Sequence, residues 1–202
     1  MILAVPISQF EATVRRVLPL MKQSGILVDV CTVKGYTVEV LQRLAQGRYW
    51  IATHPMFGPE SYKKRHGDMS EFRIVLAKER FLPERIYQTA KAWLKNLRLC
   101  IVEMTADQHD RHTATTLFLT HYVGQVVATA GFDRTEIDTV SFGFLMDAVD
   151  SVRNDKELFT QVYIRNPYCL EVRQRFATAQ SEVDGLLAQA IGAPLPIPCA
   201  AK

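Results

Sequence analysis

The sequence predicts an α/β layer followed by an all-helical half, and three observations lead there. Over residues 1–104 short β-rich runs alternate with helical segments, the pattern of strands joined by crossover connections. From Thr105 onward the strand signal disappears and four helical segments follow, closed by a tail carrying Pro194, Pro196 and Pro198. A chain of 202 residues with 48% hydrophobic and 22% charged residues is long and apolar enough to bury a sizeable core. The expected organisation is therefore a sheet layer over 1–104, helices over 105–193 and a proline-rich tail over 194–202.

The strand candidates are Ile2 to Ile7, Ile26 to Cys31, Tyr49 to Thr53, Arg73 to Ala77 and Arg98 to Glu103, read together as a parallel sheet layer. Ser8 with Glu11 reads as a capping box, opening a helix through Val14, Val17 and Leu18 toward Gly25. A second helix is expected over Tyr36 to Gln46, and a third behind Pro83, with Ile86, Ala90, Trp93 and Leu94 three or four residues apart. In the second half Thr105 with Gln108 forms another capping box, and its helix can continue to Gly131, a distance of roughly 40 Å at the α-helical rise. Helices over Glu136 to Arg153 and Lys156 to Ile164 follow, then a long one from Asn166 to Gly192 with Pro167 in its first turn.

Apolar stripes mark these helices: Ala114, Leu117, Phe118, Tyr122 and Val126 on the first; Phe176, Ala179, Val183, Leu186, Leu187 and Ala190 on the last. Stripes this wide need a partner layer. Either the sheet layer covers them or a second copy does, and the small helical half favours a homodimer.

Charge and cysteine usage exclude several classes. Twenty-four Lys and Arg against 21 Asp and Glu give a net charge of +3, too weak for a nucleic-acid binder. The longest apolar stretches are about seven residues, far below the ~20 that cross a bilayer, so no membrane partner is expected and the protein is placed in the cytoplasm. Cys31, Cys100, Cys169 and Cys199 lack zinc or redox-motif spacing, so they are read as reduced and structural, and no metal is expected.

Three constellations could carry chemistry. His54 ends an apolar strand ahead of Pro55-Met56-Phe57-Gly58-Pro59, and ligands of open α/β sheets bind at carboxyl ends of strands. A histidine there is either a base for a substrate hydroxyl or a turn residue satisfying loop carbonyls. Asp29-Val30-Cys31-Thr32-Val33-Lys34-Gly35 brings a hydroxyl and a lysine into the next strand-end loop; its plain alternative is Thr32 as a helix cap and Lys34 in solvent. In His109-Asp110-Arg111-His112, with His121 beyond it, Asp110 and His121 differ by only about 20° around an ideal helix and fall on the apolar stripe. Burial of both requires a polar network or a ligand pocket. Absent are a Gly-x-Gly-x-x-Gly turn, a Gly-x-Ser-x-Gly elbow, a P-loop and a His-Glu-x-x-His helix.

Taken in this order, the segments DVCTVKG (Asp29 to Gly35), THPMFGPE (Thr53 to Glu60), VEMTADQHDRHTATTLFLTH (Val102 to His121) and ELFTQVYIRNPY (Glu157 to Tyr168) resemble the prephenate and arogenate dehydrogenases of tyrosine biosynthesis. The wording is nearest the plant-type arogenate branch. The resemblance covers Ile2 to about Ala190 and implies a Rossmann-like dinucleotide-binding layer, of which this chain would hold the later part, without the glycine-rich turn, followed by a helical substrate-binding and dimerisation domain. It implies oxidative decarboxylation of arogenate or prephenate with NAD or NADP as cofactor. His54 matches the catalytic histidine, Thr32 replaces a serine that orients the substrate beside the nicotinamide, and His121 matches the substrate-binding histidine. Asp110 is assigned to the substrate with His121, and Pro6, Thr32 and Lys34 to the cofactor. Asp150 occupies a position where prephenate-specific members carry arginine, which would suit the ammonium group of arogenate; the alternative is a solvated carboxylate beside a stripe of Phe144, Ala148 and Val152. A non-catalytic dimerisation or ligand-binding module derived from such an enzyme is the competing expectation.

Overall fold

Residues 1–191 are described in a computed structural model; Gly192, the tail over 194–202 and Cys199 lie outside the described residues. Five strands form one sheet in chain order: β1 (Ile2–Leu3), β2 (Ile26–Asp29), β3 (Tyr49–Pro55), β4 (Arg73–Phe81) and β5 (Cys100–Met104). The joints β1–β2, β2–β3 and β4–β5 are parallel, as expected, but β4 runs antiparallel to β3. The stretch between them holds only one short helix, α3 (Pro59–Lys64), and the chain doubles back instead of crossing over. His54 thus pairs with Val75, and the first three strands present their carboxyl ends beside the start of β4.

Strand alternation divides the core between the two faces of the sheet. On one face Trp50 and Ala52 pack with Leu27, Phe10, Val14, Val38 and Leu41, which belong to β2, α1 (Phe10–Val17) and α2 (Lys34–Leu44). On the other, Ile51, Ile74 and Leu76 meet Tyr87 and Leu94 of α4 (Glu84–Asn96). The Ser8–Glu11 capping box does not form. A 3-10 turn over Ile7–Gln9 intervenes, the Ser8 hydroxyl donates to Glu157 at 3.0 Å, and Glu11 pairs with Arg15 and Arg43.

The first helix of the second half runs from the Thr105–Gln108 capping box, which forms as expected, to Gly131, whose φ of +76° ends it. It comprises α5 (Ala106–Thr113), one π-helical turn (Ala114–Phe118) and α6 (Leu119–Thr129). Helices α7 (Val140–Val152), α8 (Lys156–Arg165) and α9 (Cys169–Ile191) complete the half. Ile7 and Val33 from the sheet layer pack with Ala114, Phe118, Val162 and Val172, so one apolar cluster joins both halves. Where α6 crosses α7 the backbones approach so closely that a Cβ on Gly124 would overlap Cγ2 of Val152.

Two stripes differ from expectation. On α7 the buried residues are Met146, Val149 and Val152, whereas Phe144 is 71% exposed. On α9 Val183, Leu186 and Leu187 are each more than half exposed, because the helix extends past the elements it packs on. Among the described residues no helix is long and apolar enough to cross a membrane, and Cys31 and Cys169 are buried free thiols while Cys100 is exposed.

Candidate active site

The carboxyl ends of β1, β2 and β3 open onto a cleft of about 700 Å³ lined by Ala4, Val30, Thr32, His54, Met56 and Phe57, and closed by Leu117 and Leu158 from the helical half. Leu158 also borders a second hollow of about 350 Å³, where Pro6 and Ile7 face Asn154, Asp155 and Gln161. Thr32 and His54 therefore share one cavity, and Pro6 lies beside the neighbouring one. Thr32 does not cap α2, whose N-cap is Val33 with no side-chain bond, so its hydroxyl is left to the cleft.

Beneath the cleft the polar groups form two buried clusters. His54 Nδ1 lies 2.8 Å from His109 Nε2, and His109 Nδ1 lies 2.7 Å from Asp110 Oδ1. The Asp110 carboxylate also accepts from the Lys34 and Gly35 backbone amides, each at 2.8 Å, and so caps α2 from the helical half of the chain. Gly35 is required there: a Cβ would lie 2.8 Å from Asp110 Oδ2. Asn166 donates to the Asp110 carbonyl at 2.8 Å, tying the start of α9 to the same turn.

The second cluster holds Lys34. Its ammonium pairs with Asp29 and donates to the Thr53 carbonyl at 2.6 Å, and both side chains of the pair are fully buried. Asp29 further accepts from Cys31 N and the Thr37 hydroxyl, each at 2.7 Å. Lys34 was expected at the cofactor or in solvent; the structure gives it neither place. A buried charge requires a charged partner, and Asp29, five residues earlier, is that partner.

Burial, then the Lys34 charge and His109, hold the His54 imidazole well below the usual histidine range, so it is neutral at neutral pH. His121 is also pushed down by burial, partly offset by Asp155. His121 stacks on Phe159, is 7% exposed, and its buried Nδ1 has no hydrogen-bond partner. It lies outside the cleft lining, on the far side of the π-turn from Asp110. Asp110, expected to bind substrate, is 2% exposed and spends its oxygens on α2 and His109. Asp150 lies outside the cleft as well, on an exposed face of α7 between Arg134 and Arg153. His109 was missed as a site residue. The signal available was its place beside Asp110 at the start of a helix.

A mostly parallel sheet with a histidine and a hydroxyl at its strand ends, covered by a helical half that completes the cleft, defines an α/β protein whose ligand site lies at the carboxyl ends of its strands. Residues 1–74 match the family described as "Prephenate dehydrogenase, nucleotide-binding domain". The chain is 32% identical over 167 residues to arogenate dehydrogenase 1, chloroplastic, of Arabidopsis thaliana, covering 79% of this chain and 25% of that protein. It is 31% identical over 179 residues to arogenate dehydrogenase 2, chloroplastic, of the same plant, covering 84% and 49%. The chain thus spans between a quarter and about half the length of these curated relatives. In fold it is similar to prephenate dehydrogenase from Aquifex aeolicus solved with hydroxyphenyl propionate and NAD+ (TM-score 0.72, 15% identity, 95% of this chain and 69% of that one) and to Synechocystis arogenate dehydrogenase (TM-score 0.66, 21% identity, 94% and 71%). Residues 1–74 thus carry the nucleotide-binding domain of the prephenate dehydrogenase family, and over most of its length the chain is similar to arogenate dehydrogenases.

Proposed function

We propose that this chain supplies the substrate and nicotinamide side of an NAD(P)-dependent dehydrogenase that decarboxylates arogenate or prephenate, acting in the cytoplasm as a homodimer. The observation that carries the reading is His54, neutral at the base of the cleft with one ring nitrogen committed to His109 and the other left for a substrate hydroxyl. Residues 1–104 act as the later part of the nucleotide-binding layer and 105–193 as the substrate-binding and dimerisation domain. The donor set fits the nicotinamide end of a cofactor: Pro6 and Thr32 line adjoining hollows, whereas no glycine-rich phosphate turn occurs in the 202 residues. When bound, that cofactor supplies the hydride acceptor.

The chain's own groups do the rest. His54 takes the hydroxyl proton of the ring carbon that loses hydride and Thr32 orients that hydroxyl; His121, buried with an unpartnered Nδ1 outside the cleft lining, would reach the substrate only if the helical half shifts on binding. Leu117 and Leu158 keep water from the reacting face. Departure of the ring carboxylate as carbon dioxide makes the ring aromatic.

The test is reduction of NAD or NADP by the full protein carrying these residues, with arogenate and with prephenate. His54→Asn is expected to lower turnover by about 10² to 10⁴ while the protein stays folded; unchanged turnover removes His54 from the reaction. Titrated alone, the 202 residues are expected to show no low-micromolar affinity for either cofactor. The alternative, a non-catalytic dimerisation or ligand-binding module of the same descent, draws on the uncovered stripe of α9 and predicts no turnover at all.

A further inference from the structure

We infer that the base of this site is a two-imidazole relay: His109 fixes which ring nitrogen of His54 faces the cleft and then receives the proton that His54 takes up. The inference rests on the dehydrogenase reading for the identity of the proton donor, but not for the protonation states.

The assignment starts from groups whose character is fixed. The backbone N–H groups of Lys34 and Gly35 can only donate, and they point at Oδ1 and Oδ2 of Asp110 at 2.8 Å. Asp110 therefore acts as an ionised acceptor, and His109 Nδ1, 2.7 Å from Oδ1, must carry the proton between them. A neutral His109 then has its lone pair on Nε2. His54 Nδ1, 2.8 Å away, must be the donor to it, which leaves Nε2 of His54 as the unprotonated nitrogen on the cleft side. The opposite assignment requires either a protonated Asp110 facing two N–H donors or a positive charge on His109 at rest. The network that orients the base thus begins at the N-terminus of α2, two residues after Thr32.

The same geometry sets where an added proton comes to rest. The charged group facing His54 is Lys34 from α2, which repels a cation there, while the Asp29 carboxylate is already committed to Lys34 and the His109 ring from α5 offers only its lone pair. A positive charge on His109 lies instead against the Asp110 carboxylate. The substrate hydroxyl gives its proton to Nε2 of His54, and the Nδ1 proton of His54 passes to Nε2 of His109. His54 ends neutral in the opposite tautomer and His109 ends as an imidazolium. One proton has left the substrate and one has been gained, while the hydride leaves separately to the nicotinamide.

Nitrogen-15 NMR of the histidine-labelled 202-residue chain, without substrate or cofactor, reads the tautomers directly. At neutral pH His54 is expected to show a protonated Nδ1 and an unprotonated Nε2. His109→Ala should move the His54 resonances toward a tautomer mixture, and His109→Gln, whose amide oxygen still accepts from Nδ1, should restore them. A protonated Nε2 in the unaltered chain overturns the inference, and so does a His54 tautomer indifferent to His109→Ala; if that variant does not fold, the unaltered chain and His109→Gln decide. In the full protein His109→Gln keeps the orientation but cannot take the proton, and turnover should fall on the order of 10²-fold; full turnover overturns the relay. Absence of any arogenate or prephenate turnover in the unaltered protein would sink the dehydrogenase reading instead, and the spectrum would still decide the tautomers.

Discussion

Replacing Lys34 by methionine separates a lysine that serves a ligand from one that holds the fold. Methionine keeps the apolar stem and about the same length, and it removes only the ammonium. In the structure that ammonium is fully buried against a fully buried Asp29, so the substitution strands a carboxylate that keeps its bonds from Cys31 N and Thr37 but loses its counter-charge. The Thr53 carbonyl loses a donor at the same time. Removing one partner of a buried pair costs about 3–5 kcal/mol, against a stability of roughly 5–15 kcal/mol for a domain of ordinary size. With a urea slope near 2 kcal/mol per molar, a loss of about 4 kcal/mol moves the midpoint by roughly 2 M. Equilibrium urea unfolding followed by circular dichroism reads it. Adding Asp29→Asn to Lys34→Met should recover part of the loss, since no unpaired charge then remains. A cost below about 1 kcal/mol for Lys34→Met, the scale of exposed pairs, would refute the buried pair and return Lys34 to the cleft.

Three further outcomes are expected. His54 and His121 are held neutral by burial, whereas in the unfolded chain each gains a proton below about pH 6.5; their contribution is complete above that pH and is lost as pH falls, by up to ~1.4 kcal/mol per pH unit for each. Urea midpoints at about pH 7.5 and 5.5 that coincide would contradict this. Gly124→Ala should cost about 1–3 kcal/mol through overpacking against Val152, with Val152→Ala restoring part of it in a thermal melt; no loss would mean that α6 and α7 are farther apart than described. Sedimentation equilibrium of the chain at tens of micromolar should give a dimer that Val183→Glu with Leu186→Glu converts to monomer, and a monomer before substitution would refute the pairing.

The long helix after Met104 was legible because both of its ends carry local chemistry: Thr105 and Gln108 satisfy each other's backbone partners, and Gly131 takes a conformation that favours glycine. Strand direction was not legible. Arg73 to Ala77 reads the same whichever way the chain runs, and only the lack of a long amphipathic helix between Met56 and Phe72 hints that β4 turns back. His54 could be found from its place at a strand end, while His109 could not be joined to it, since 55 residues separate them and the contact depends on how α5 crosses α2. Lys34 misled because a lysine beside a glycine in a strand-end loop looks exposed. Its burial depends on the angle at which α2 leaves β2, which no local pattern records.

The π-turn at Ala114–Phe118 gives the helix on which the site depends a property that a regular helix would lack. Such a turn holds about one residue more than an α-helical turn, so everything after it is rotated by roughly 100° from where a regular helix would place it. His109, Asp110 and Thr113 are buried before that step, and His121 and Gly124 after it. Excising one residue from the turn would give a straighter rod with a better hydrogen-bond ladder, yet it would swing one set of side chains away from its partners by more than a quarter turn. The helix works like a camshaft with two lobes, timed by a single residue. Insertions or deletions anywhere between Thr113 and Leu119 should be far more damaging than the exposure of Thr115 and Thr116 suggests.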